Sequence, residues 1–290
     1  VLILIIALII TACVGTKIGQ PVADAEQTHT KLPVDPKVKI GKLDNGLTYY
    51  IRKNEKPENR LHLNLVINAG AIDEDENQRG LAHLCEHMAF NGTKHFQKQE
   101  LIDYLESIGM KFGAELNAYT SFDETVYMLH LPTENDTILE KGFQVLDDWA
   151  SNVSYDHEEI DKERGVVHEE WRLGRGAGQR VRDEFLPVLF EGSKYANRLP
   201  IGLMDVVDNC SYETLTNFYY DWYRPDLMAV VAVGDLNIEK TEELIKKYFQ
   251  DNQNPEDPRT KATYELPDHE DTKYVIATDK ELSRTTVYTY

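Results

Sequence analysis

Apolar and polar positions alternate along "LHLNLVINAGA" (61–71), the period of a strand with one buried face. The same alternation flanks Asp44-Asn45-Gly46 in "KIGKLDNGLTYYIRKNE" (39–55), and that triplet predicts a hairpin turn. The period then lengthens. Segment 77–90 reads as a helix, and so does "QELIDYLESIG" (99–109), which Gly109 ends. Two strands are expected in "AELNAYTSF" (114–122) and "ETVYMLHLP" (124–132). Helices follow near 134–151, 156–174, 183–191 and 211–222. "LMAVVAVGDL" (227–236) is a nearly unbroken apolar run, a buried strand, and "NIEKTEELIKKYF" (237–249) is a helix beginning after Asp235. Irregular alternation of strands and helices, with antiparallel hairpins, predicts an α+β fold: a mixed, largely antiparallel sheet packed by helices mostly on one face.

The two ends read differently. Residues 251–271 are polar and carry prolines, which marks an interdomain linker. In 272–290 two strand-like runs break off in mid-pattern and read as the first strands of a second, similar domain that is truncated. The apolar run 1–10 has the length of a signal-peptide core and is short for a membrane span. It ends in Ile10-Thr11-Ala12-Cys13, which resembles the lipobox of bacterial lipoproteins and implies lipidation of Cys13; a plain signal peptide or an anchor helix is the alternative. No Met or basic segment precedes the run, so the chain reads as clipped there. Residues 14–36, with Pro21, Pro33 and Pro36, read as a tether.

Composition narrows the class. Of 290 residues 41% are hydrophobic and 28% charged, which is globular rather than disordered. The formal net charge of −19 argues against nucleic acid as a partner, because phosphates call for clustered Lys and Arg. Beside Cys13 only Cys85 and Cys210 remain, too few for a disulfide framework; both read as small buried hydrophobes, with a Cys85–Cys210 bridge as the alternative.

The candidate chemistry lies in "RGLAHLCEHMAFNGTKHF" (79–96). Residues three and four apart share a helix face, so His83, Glu86 and His87 project together. Two imidazoles so placed can grip one Zn²⁺, and a carboxylate between them can take a proton from an activated water; H-x-x-E-H is a metallopeptidase signature. Cys85, about 200° round the helix from His83, faces away. The bland alternative is a histidine-rich helix surface. A zinc site also needs a third protein ligand. In "EEIDKERGVVHEEWRLG" (158–174), Glu163 and Glu170 lie two turns apart on one face, with Val166 and Val167 suiting a buried stripe between them. Glu158, Glu159 and Glu169 read as solvated acids, and a solvated face is also the alternative for the other two.

Four stretches, "GLAHLCEHMAFNGTKHF", "LNAYTSFDETVY", "DKERGVVHEEW" and "FYYDWYRPDLMAVVAVGDL", resemble in that order the N-terminal half of the pitrilysin/insulin-degrading-enzyme family of inverted zinc metallopeptidases. The likeness covers 37–250 and is strongest to the bacterial two-half members and to mitochondrial processing peptidase. It implies one zinc per chain on His83 and His87, Glu86 as catalytic base, and a distal glutamate as third ligand. The family's usual spacing after the second histidine falls on Glu163, whereas its local pattern E-R-x-V-x-x-x-E makes Glu170 the ligand and Glu163 an acid supporting the metal-bound histidines. Glu170 is taken as the ligand; His168, two residues away, faces elsewhere. Asn117 and Ala118 match the strand that binds substrate main chain in the family, against the plain reading of Asn117 as a turn residue. The implied activity is zinc-dependent endopeptidase cleavage of extended peptides, completed by an inactive C-terminal half on the same polypeptide or a partner chain. The implied place is the bacterial cell envelope, with membrane attachment through the lipid. A non-catalytic peptide-binding or structural homologue of the same fold, a fragment inactive without its C-terminal half and a zinc hydrolase of other substrates are the alternatives.

Overall fold

Residues 33–97, 100–108, 113 and 116–290 are described in the computed structural model. Cys13, the lipobox and most of the tether lie outside the described residues.

The Asn45-Gly46 turn joins β1 (Val38–Lys42) to β2 (Thr48–Lys53) as an antiparallel pair. Gly46 sits at φ +99°, a conformation that favours glycine, and Asn45 Oδ1 accepts from Leu47 N at 3.1 Å. With β3 (Arg60–Ile67), β4 (Leu116–Thr120), β5 (Thr125–Pro132) and β6 (Met228–Gly234), these strands make one sheet in the order β1-β2-β6-β3-β5-β4. Only β2 and β6 run parallel; the other pairs are antiparallel. The sheet is therefore mixed and largely antiparallel, and the fold is α+β. β6 is central but not buried on both sides. Met228, Val230 and Ala232 enter the core while the residues between them are half-buried, so its apolar run conceals a period of two.

The helices are α1 (Leu81–Met88), α2 (Glu100–Ser107), α3 (Asp136–Ser151), α4 (His157–Gly174), α5 (Ala177–Leu189), α6 (Met204–Asn209), α7 (Tyr212–Trp222) and α8 (Ile238–Phe249). Side-chain caps explain several starts: Asn135 accepts from Thr137 N, Asp156 from Glu158 N and Glu159 N, Ser211 from Thr214 N and Asn237 from Lys240 N. Two departures from the sequence pattern stand out. α5 starts at Ala177, earlier than expected, with Gly176 as its N-cap and Gly178 inside the helix. α6 is one and a half turns long, too short for a periodic signal.

Trp149 of α3 is wholly buried, stacks on Tyr127 of β5 with ring centroids 5.0 Å apart, and donates from Nε1 to Ala89 O at 2.9 Å. It thereby pins the end of α1 to the core. Cys85 and Cys210 are both free; Cys85 is buried as expected, whereas Cys210 is only half-buried and lies beside the Arg164 guanidinium.

Residues 251–290 carry no helix or strand. The strand-like runs of 272–290 are thus not strands here: Ile276 and Val287 are 88% and 85% exposed, and no described strand pairs with them to satisfy their main-chain groups. Ion pairs tie this stretch to the domain instead, Arg259 to Asp75 and Lys261 to Asp73, with Arg180 of α5 reaching Asp279. No helix of the described residues is long and apolar enough to cross a membrane.

Candidate active site

The turn before α1 holds the helix from outside. Glu74, wholly buried, accepts from Gly80 N and Ala82 N through one oxygen, both at 2.9 Å, which satisfies first-turn donors that a helix leaves open. Gly80, at φ +104°, packs against Gly202 so closely that no Cβ fits between them. Leu81, Leu84, Cys85 and Met88 then fill the core, which leaves His83, Glu86 and His87 on the remaining face. Their ligating atoms lie within 4.8 Å of one another.

α4 packs across this face. Its Glu170 Oε2 stands 3.6 Å from His83 Nε2 and 3.5 Å from His87 Nε2, and the two Nε2 atoms are 3.2 Å apart. Ligand atoms around a tetrahedral zinc, each about 2.0–2.1 Å from it, are separated by about 3.3–3.4 Å. This nearly equilateral triangle of two imidazole nitrogens and one carboxylate oxygen therefore fits the ion. Two turns back, Glu163 Oε1 meets His87 Nδ1 at 2.8 Å, and Asn91 Nδ2 donates to Glu163 Oε2 at 2.8 Å. Glu86 Oε2 stands 3.9 Å from His83 Nε2 and accepts from Thr120 Oγ1 of β4 at 3.3 Å.

Burial lowers the His83 pKa to about 4, and the neighbouring His87 adds to the effect. Burial also opposes charge on His87, but the Glu163 and Glu170 carboxylates outweigh it and lift that pKa to about 10. The hydrogen bond from His87 holds Glu170 below the usual carboxylate range. One neutral and one charged imidazole thus face a carboxylate, and a divalent cation would take the place of the His87 proton. Burial raises Glu86 to about 7 against the pull of His87 and Thr120.

Five residues singled out in the sequence, His83, Glu86, His87, Glu163 and Glu170, come together. Asn117 and Ala118 lie on β4, the edge strand beside α1, where Asn117 Oδ1 accepts from Ala118 N at 2.9 Å. His168 turns away to Asp208 at 3.1 Å. Two expectations fail. Val166 is exposed, so Ile160 and Val167 alone form the buried stripe of α4 with the Arg164 stem. Glu159 is buried rather than solvated, held by Lys162 and by its main-chain bond to Asp156. The sequence pattern does not single out Glu74, Asn91 or Thr120. Asn91, four residues past His87, continued the helical spacing and was legible in principle; the other two act across loops.

Two histidines and a carboxylate from one helix, faced by a glutamate from another, define a candidate metal centre of the inverted H-x-x-E-H class. The chain belongs to peptidase family M16: the family model "Insulinase (Peptidase family M16)" matches residues 49–187, and that of the "Peptidase M16 inactive domain" matches 209–290. The second match takes in α7, β6 and α8, which in three dimensions complete the first sheet and its helix layer. The probable zinc protease PqqL of Haemophilus influenzae is 42% identical over 240 residues, 83% of this chain and 26% of that protein. The crystal structure of the first half of the periplasmic protease PqqL from Escherichia coli superposes with a TM-score of 0.77 at 37% identity, over 81% of this chain and 50% of that one. Pitrilysin, at 22% identity and a TM-score of 0.64 over 78% of this chain and 24% of its own, shares the fold. The chain spans about a quarter of the length of the curated relatives it matches.

Proposed function

We propose that this chain is the metal-binding N-terminal domain of a zinc endopeptidase that cleaves peptides or unfolded polypeptides. The observation that carries the reading is the triangle of His83 Nε2, His87 Nε2 and Glu170 Oε2, with edges of 3.2 to 3.6 Å beside a buried carboxylate. His83, His87 and Glu170 would hold one zinc, which when bound would supply Lewis-acid chemistry.

The chain's own groups do the rest. Glu86, held by Thr120 and raised in proton affinity by burial, accepts the proton of the attacking water and returns it to the leaving amine. Glu163 holds His87 through Nδ1 and sets the direction of its Nε2. The open edge of β4 at Asn117 and Ala118 pairs with substrate main chain by strand addition, which favours extended peptides. Residues 251–271 are a linker and 272–290 the start of a second M16 domain; the inactive-domain match to 209–290 extends over both and begins before either. An inactive C-terminal half closes over the substrate. The cell envelope is the place of action, as for the periplasmic relative, with Cys13 as lipid anchor.

Metal analysis tests the centre and turnover tests the base. Wild type and Glu86→Gln should each carry one zinc per chain, while cleavage of a peptide library falls by at least about 100-fold in the variant. Undiminished cleavage removes Glu86 from its role. A wild type without stoichiometric zinc favours a non-catalytic peptide-binding protein.

A further inference from the structure

Resting on the reading of His83, His87 and Glu170 as metal ligands, we propose that Asn91 is a positioning residue for the centre, acting through Glu163 without touching the metal. Asn91 lies just past the end of α1, its N–H bonded to Met88 O at 3.0 Å. Its Nδ2 donates twice, to His87 O at 3.1 Å and to Glu163 Oε2 at 2.8 Å. The other Glu163 oxygen meets His87 Nδ1 at 2.8 Å. The contacts close a ring: imidazole, carboxylate, amide, and back to the main chain of the same histidine.

A carboxylate held by one hydrogen bond swings freely about its last torsion, which is broad. Held at both oxygens it has a fixed plane, and the imidazole bonded to it acquires a fixed plane as well. That plane directs Nε2 into the triangle. The Glu163 side chain is only 14% exposed, so water is poorly placed to replace the amide. His83 has no matching support: its Nδ1 is buried without a hydrogen-bond partner among the described residues. The orientation of the histidine pair therefore depends on the His87 side, and Asn91 is the group that completes it.

Zinc affinity, read by competition with a chromophoric chelator, tests this. Loss of partners that orient a metal-bound histidine lowers affinity by about 10–100-fold, and Asn91→Ala should fall near the lower end, about tenfold. Asn91→Asp, which sets a carboxylate against Glu163, should bind more weakly still. Added to Glu163→Gln, Asn91→Ala should cost less than about twofold more, because the path it uses is already gone. A residue that only caps α1 predicts the opposite: a lower melting temperature of the metal-free protein, with unchanged zinc affinity or with losses that multiply. Either result overturns the proposal. Without any metal, the His87 Nδ1–H proton should exchange with water faster in Asn91→Ala than in wild type. If wild type takes up no zinc, the metal reading itself has failed, and equal exchange rates then overturn the Asn91 role on their own.

Discussion

Replacing Glu74 with leucine removes a side-chain acceptor bonded to two buried main-chain donors at the start of α1. Gly80 N and Ala82 N both reach its Oε1 at 2.9 Å, and the carboxyl group is wholly buried. Leaving a buried donor unsatisfied costs about 1–3 kcal/mol. With two donors affected, and apolar burial of the leucine offsetting part, the expected loss is about 2–4 kcal/mol. Glu74→Gln keeps Oε1 and places its amide nitrogen where the partnerless Oε2 sits, so it should lose less than half as much. Urea titration in the presence of a chelator reads the difference as a shift in midpoint at constant slope. The pH dependence separates the two variants further. Burial pushes the Glu74 carboxyl from 4.5 up to about 8, against its hydrogen bonds from Ala82 and Gly80. The folded chain then keeps a proton that the unfolded chain releases. Stability is fully present below about pH 4.5 and falls as pH rises toward about 8, by at most about 1.4 kcal/mol per pH unit. Glu74→Gln lacks that slope, so wild type and variant should diverge across the window in the variant's favour. Parallel pH profiles, or a leucine variant within about 0.5 kcal/mol of wild type, would refute the reasoning.

Two further outcomes follow from the same geometry. Gly202→Ala places a Cβ against the Gly80 main chain at φ +69°, so it should cost more than about 2 kcal/mol in urea titration; a change under about 0.5 kcal/mol would mean that the two glycines separate easily. Glu170→Ala should weaken zinc binding by more than about 100-fold in chelator competition, beyond the loss expected of an outer partner. A drop of only a few-fold would shift the third-ligand role toward Glu86, whose carboxylate lies 3.9 Å from His83 Nε2.

Much of this arrangement was legible along the chain. Period-two runs located β1 to β5, an apolar run located β6, and longer periods located α1, α2, α3, α4, α7 and α8, because side-chain direction follows local backbone geometry. The same geometry put His83 and His87 on one face of α1, and Glu163 and Glu170 on one face of α4. Pairing between distant segments was not legible. Nothing within 227–236 reveals that β6 enters between β2 and β3, parallel to one and antiparallel to the other. Nor do the strand-like runs of 272–290 reveal that no described strand pairs with them.

By itself, then, the sequence determined the strands, the longer helices, most of their apolar faces and the grouping of chemical residues along each helix. Only the tertiary structure decided that Glu170 meets both imidazole Nε2 atoms while Glu163 takes the other nitrogen of His87, and that Asn91, Thr120 and Glu74 hold the set in place. Periodicity fixes direction around one helix. The spacing between two helices is set by the side chains packed between them, and no single segment contains both.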